Sequence, residues 1–175
     1  DWDIGTTSNW INQGTTQPDA YYDPDSVLFD DGGAAFAPVV NLPGLLKPGS
    51  ITVSSSSNYT FSGPGGFGNL GVAATLTKDG AGTLVLATTT TNNYLGATIL
   101  SNGTIQVGAG GTAGSLGPSP VSIGAGATLR YFRSDAAYTV PNTLSGSGQQ
   151  VFQGPGATGQ GAYVISGLNT NFVGA

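Results

Sequence analysis

Apolar and polar residues alternate along much of this chain. Ser50-Ile51-Thr52-Val53, Gly103-Thr104-Ile105-Gln106-Val107 and Ala127-Thr128-Leu129-Arg130-Tyr131-Phe132 put every second side chain on one face. That period of two marks half-buried strands. Further short strands are predicted at Val39–Leu42, Tyr59–Phe61, Thr83–Leu86, Ala97–Leu100, Val121–Ile123, Gln150–Phe152 and Ala162–Ile165. Gly and Asn turns separate them. Composition agrees: Gly is 30 of 175 residues, Met is absent and every acidic residue is Asp. Strong helix formers are scarce and strand or turn formers abundant, so the chain reads as all-β.

Internal similarity favours stacked coils. Gly82-Thr83-Leu84-Val85-Leu86, followed by Asn93-Tyr94-Leu95-Gly96-Ala97, is similar to Gly161-Ala162-Tyr163-Val164-Ile165, followed by Asn171-Phe172-Val173-Gly174-Ala175. The two leading glycines are 79 residues apart. Phe61-Ser62-Gly63-Pro64-Gly65 likewise matches Leu144-Ser145-Gly146-Ser147-Gly148, and Ile51-Thr52-Val53 matches Val121-Ser122-Ile123. A unit of several strands that occurs twice predicts a parallel β-helix or β-solenoid, each unit burying its face on the next. An antiparallel β-sandwich with Greek-key connections is the alternative.

Charge divides the chain. Seven of its nine Asp lie at or before Asp31, and both Trp, Trp2 and Trp10, share that segment. Residues 1–38 are therefore expected to form an N-terminal cap around the strand Ser26–Phe29, and residues 39–175 the solenoid. Four basic residues against nine Asp give a net charge of −5, which disfavours nucleic acid and anionic membrane as partners. No apolar run reaches the ~18 residues that span a bilayer. Without His or Cys, imidazole bases, thiolate nucleophiles and the usual zinc or iron–sulfur sites are excluded. The chain begins with Asp1 and not Met, as expected of a processed secreted protein or an excised fragment.

Residues Leu76-Thr77-Lys78-Asp79-Gly80-Ala81-Gly82-Thr83-Leu84-Val85-Leu86, then Asn93-Tyr94-Leu95-Gly96-Ala97-Thr98-Ile99 and Asn102-Gly103-Thr104-Ile105-Gln106-Val107-Gly108, resemble the autotransporter-associated β-strand repeat. Its pattern is close to LxKxGxGTLxLxxxNxYxGxTxIxxGTLxVG. This copy departs from it where Leu95 precedes Gly96 and an extra polar residue lengthens the loop. The motif covers about 76–108, with a degenerate second copy over about 152–175. The opening is similar to proteins carrying that repeat, which often begin with a Trp, an Asn-Trp pair (here Asn9-Trp10) and a strand like Asp25-Ser26-Val27-Leu28-Phe29-Asp30. The resemblance implies a parallel β-helix on the outside of a bacterial cell, secreted or held at its surface. It brings no catalytic site.

The second copy ends at Phe172-Val173-Gly174-Ala175, where the first continues into two more strands. The expectation is a sticky terminus covered by the next subunit, giving a head-to-tail filament. Trp2, Trp10, Phe172, Val173, Gly174 and Ala175 are the candidate interface. Asp19, Asp23, Asp25, Asp30 and Asp31 are weak calcium candidates, since their spacing fits no known calcium loop and turn-capping accounts for them better. No other cofactor is expected. Asp79 beside Lys78, and Asp135 beside Arg130 and Arg133, are too few to suggest glycoside hydrolysis, and Arg133–Asp135 is expected to be a surface ion pair of small worth. The glycine runs Gly63–Gly68 and Gly108–Gly111 are expected to be turns, as is Thr88–Thr91. The expected function is a non-catalytic extracellular structural protein that assembles with itself. The alternative is an adhesin domain that binds glycans or matrix as a monomer.

Overall fold

A computed structural model describes residues 1–36, 38–69, 73–154, 162–166 and 171–174. Two parallel sheets run the length of the molecule. The first holds seven strands: Ser26–Phe29, Ser50–Ser54, Thr75–Asp79, Thr98–Leu100, Val121–Ile123, Leu144–Gly146 and Asn171–Phe172. The second holds six: Val39–Asn41, Tyr59–Gly63, Thr83–Thr88, Thr104–Val107, Thr128–Phe132 and Gln149–Gln153. Strand order in each sheet follows chain order, so each coil adds one rung to both. The fold is a parallel β-solenoid. Among the described residues the one antiparallel pair is the small hairpin of Trp10–Ile11 with Pro18–Asp19, which excludes the sandwich.

A third side closes each coil. Short parallel pairs form it at the two ends, Leu45–Leu46 with Gly66–Phe67 and Ala137–Val140 with Ala162–Ile165. Between them, buried asparagines stand in for strands. Asn92 Oδ1 accepts from Phe67 N at 2.8 Å, and its Nδ2 donates to Ser115 O at 2.7 Å. Asn142 Nδ2 donates to Gly117 O and Ser119 O. A side-chain amide carries both donor and acceptor, so it can bridge coils whose backbones do not pair.

The true repeat is one coil. In the first sheet Ile51, Leu76, Thr98, Val121 and Leu144 share a column, and paired residues throughout the stack lie 21 to 26 positions apart. The match of Ile51–Val53 to Val121–Ile123 is a real equivalence, three coils apart. The other two matches are not. Thr83–Thr88 belongs to the six-stranded sheet, whereas Ala162–Ile165 sits on the third side; Gly161 lies outside the described residues. Phe61 and Leu144 likewise lie in different sheets. Ser26–Phe29, expected within the cap, is the first rung of the long sheet, so the segment that covers the end is residues 1–25. Of the glycine runs, Gly66–Phe67 is a buried strand and not a turn.

Inward positions pack in columns. Phe29, Val53, Lys78, Leu100 and Ile123 form one, and Val40, Phe61, Leu86, Val107, Tyr131 and Phe152 another. The column residue Thr98 has its hydroxyl satisfied by Tyr94 OH at 2.7 Å, and burial pushes the Tyr94 phenol up to about 12. Aromatic rings close both ends. Trp2 meets Trp10, Tyr21, Phe29, Phe61 and Phe67 at centroid distances of 5.3 to 6.0 Å. Tyr131, Tyr138, Phe152 and Tyr163 cluster at the other end, with Tyr131 stacked on Phe152.

Close coil stacking makes particular glycines obligatory. Gly103 has φ +70°, and a Cβ there would lie 2.4 Å from Gly80 O and 2.5 Å from Gly82 O. Gly103→Ala therefore faces both a left-handed backbone and a backbone clash, costing on the order of 2–4 kcal/mol. A thermal melt should show it. An unchanged Tm would mean that the turn tolerates a different path.

Candidate functional site

Most charged side chains act within the structure. Lys78 is fully buried, and its Nζ donates to Asp79 O and Gly80 O, each at 2.7 Å. Loss of hydration pushes its pKa below the usual lysine range, with Asp79 partly opposing. Arg133 is also buried. It forms a two-pronged pair with Asp135, with Nε to Oδ2 at 2.6 Å. It donates to the carbonyls of Thr112, Ala113 and Gly114 as well. Its guanidinium lies 4.1 Å from the Tyr138 ring centroid. The expected surface ion pair is thus a clamp that holds the 112–114 loop to the next coil. Period-two alternation in Thr75–Asp79 already marks Lys78 as inward, on the face of Leu76.

The five aspartates weighed for calcium are engaged in turns, a helix cap and a contact between coils. Asp19 binds Asn12 Nδ2 and Ala20 N. Asp23 accepts from Tyr21 OH and Lys47 N, and Asp25 from Tyr22 N. Asp30 caps a four-residue helix, Asp31–Ala34, through Gly33 N. Asp31 reaches across to the next coil and accepts from Ser55 Oγ, Ser56 N and Ser57 N. Among the described residues no three acidic side chains converge as a metal site.

Asp31 makes a pH prediction. Hydrogen bonds, that of Ser55 first, lower its pKa to about 2. An unfolded aspartate titrates near ~3.9. The contribution is fully present above pH ~4 and is lost as pH falls toward 2. Asp31→Asn is therefore expected to flatten the acid limb of the stability–pH curve between about pH 4 and 2. Denaturant unfolding across that range measures it, and an unchanged limb would assign the acid sensitivity elsewhere.

The N-terminal end differs from the rest of the surface. A cleft of about 1290 Å³ lies there, with Trp10, Tyr21, Tyr22, Leu28, Phe36 and Val39 in its lining. Phe36 is 91% exposed, Val39 62%, Tyr22 53% and Leu28 46%. The two sheet edges at this end are treated differently. Asn41 O accepts from Trp2 N at 2.8 Å, and Asn41 Nδ2 donates to Asp1 Oδ1 at 2.8 Å. Ser26–Phe29 pairs with Ser50–Ser54 on one side, and among the described residues no backbone bond from residues 1–25 reaches its other side.

The residues expected at a subunit interface are distributed as follows. Trp2 is fully buried and offers no surface, because it fills the cap's own core. Trp10 packs partly buried against it. Phe172 ends the last strand of the long sheet and packs against the core. Val173 is exposed and Gly174 half-buried; Ala175 lies outside the described residues. Leu28, Phe36 and Val39 were not singled out from sequence. An outward Leu in an edge strand has no one-dimensional mark.

Fold and surface together define a capped parallel β-solenoid with an open edge at its N-terminal end. Compared with protein-family models, curated proteins and solved structures, the chain matches none.

Proposed function

We propose that this chain is a non-catalytic structural element of an extracellular, bacterial surface-associated filament, and that the stiff rod is itself the working part. The observation that carries this reading is the pair of in-register parallel sheets running from end to end, with buried Lys78 and Arg133 locking turns between coils. The resemblance to the autotransporter-associated repeat supports it residue by residue. Leu76, Lys78, Leu84 and Leu86 point inward, and Gly80 and Gly82 stand where a Cβ would strike Ser55 and Ser57 carbonyls. Those are the motif's recurring positions. Growth of the rod by head-to-tail contact between copies belongs to the same reading. Size-exclusion chromatography and negative-stain microscopy over a concentration series test it. Filaments along the solenoid axis are expected, and a stable monomer at high concentration overturns it.

The cleft favours a second reading, a monomeric adhesin. Exposed Tyr22 and partly buried Trp10 line it together with Asp25, a combination of rings and a carboxylate suited to neutral sugars. A glycan array separates the two: sugar binding without assembly supports the adhesin, and filaments without sugar binding support the rod.

A further inference from the structure

We infer that the cleft at the N-terminal end is a binding site for amino sugars, saccharides that carry a protonated amine, and that it prefers them to neutral and acidic sugars. This rests on the sugar-binding part of the adhesin reading and narrows it to one class; it holds whether or not rods assemble. The volume of about 1290 Å³ exceeds the roughly 300–1,000 Å³ of a usual small-molecule site, so the cleft has room for a short oligosaccharide. Its rings come paired with carboxylates. Trp10 stands directly opposite Asp19 in the antiparallel hairpin, and the side chains of such a pair share a face with Cβ atoms about 5 Å apart. Asp25 Oδ2 accepts from Tyr22 N at 2.9 Å, which fixes a second carboxylate beside the backbone of Tyr22, whose ring is exposed.

Charge selects among the sugars. Asp1, Asp19, Asp25 and Asp30 line the cleft, and among the described residues no Lys or Arg does. Lys47, the first base in the chain, stands outside that lining. Among the described residues the one ion pair joins Arg133 to Asp135, so no cation of the chain is paired with a cleft carboxylate. All four aspartates are exposed. A cleft of one sign concentrates cations and repels anions. A protonated amine gains charge-assisted hydrogen bonds from the carboxylates and attraction to the ring faces. The C–H face of the sugar packs on the same rings whether or not the amine is charged. N-acetylation removes the charge and keeps the sugar ring, whereas a uronic acid reverses the charge.

Two oligosaccharides that differ only in acetylation test this. A chitin oligomer and its fully deacetylated counterpart are titrated by calorimetry into the full chain at about pH 6, above the carboxylate range, where the sugar amine is protonated. The deacetylated oligomer is expected to bind about tenfold more tightly at low salt. That gap should close near ~1 M salt, and oligogalacturonate should not bind. Asp25→Asn keeps an acceptor for Tyr22 N. It is expected to weaken only the deacetylated oligomer, by about threefold, the ordinary worth of one exposed charge pair. Tyr22→Ala, at an exposed position, should weaken both oligomers alike, and far-UV circular dichroism checks that each variant is folded. Equal binding of the two oligomers would overturn the amino-sugar inference and spare sugar binding. Oligolysine that binds as tightly as the deacetylated oligomer, and does so undiminished in Tyr22→Ala, would show a charged patch and not a sugar site, and would overturn it too. Binding of none of the saccharides would remove both the inference and the adhesin reading, and leave the rod untouched.

Discussion

Trp2→Ala is expected to lower stability by about 3–5 kcal/mol, the usual cost of removing a buried large aromatic. Trp2 is fully buried, and its ring touches both the cap rings Trp10 and Tyr21 and the coil rings Phe29, Phe61 and Phe67. Its loss leaves a cavity at the end of the stack, where rungs have a neighbour on one side only. For a chain of this length the Tm should fall by roughly 6–20 °C. Trp2→Phe should recover most of the loss, because among the described residues the indole N–H has no acceptor and the ring is what matters. Near-UV circular dichroism with a thermal ramp measures both. Equal damage from Phe and Ala would show that the N–H does have a role.

Arg133→Ala is the second large effect, at about 3 kcal/mol. Removing one partner of a buried pair leaves the other charge uncompensated, here Asp135, and strips donors from three carbonyls at 112–114. Asp135 keeps some solvent contact, which puts the cost at the lower end of the usual range. Arg133→Lys should rescue little. One ammonium cannot reproduce a planar fork that spans a carboxylate and three carbonyls while lying over Tyr138. The expected readouts are a lowered Tm and new protease cleavage near 112–114. Cleavage without a change in Tm would mean that the loop is held by Arg133 but carries no weight in the stack.

The rungs were legible because period two survives in them: Ile51 and Val53, Leu84 and Leu86, Ile105 and Val107 all point inward as the alternation predicts. The coil repeat was hidden for a physical reason. A column needs volume and not identity, so Val27, Ile51, Leu76, Thr98, Val121 and Leu144 share a column with no two successive residues alike. Coil lengths drift as turns lengthen on the corners, which erases a fixed period. The third side was invisible because Asn92 and Asn142 do there what strands do elsewhere, and an asparagine in a glycine-rich chain reads as a turn. At the N-terminal end the acidic segment and its two Trp were plain in sequence. That the rings face inward and the strand edge outward is decided by packing, which puts Trp2 inside and Leu28 outside.

The confinement of both indoles to one end has an optical consequence. Both indoles, Trp2 and Trp10, sit at one end of the rod, whereas Tyr131, Tyr138 and Tyr163 crowd the opposite end. Indole emission therefore reports on the first coil, whereas far-UV circular dichroism reports on the rungs of the whole rod. A rod that melts from one tip inward would shift one signal before the other, so the direction of unzipping is readable in the unlabelled molecule.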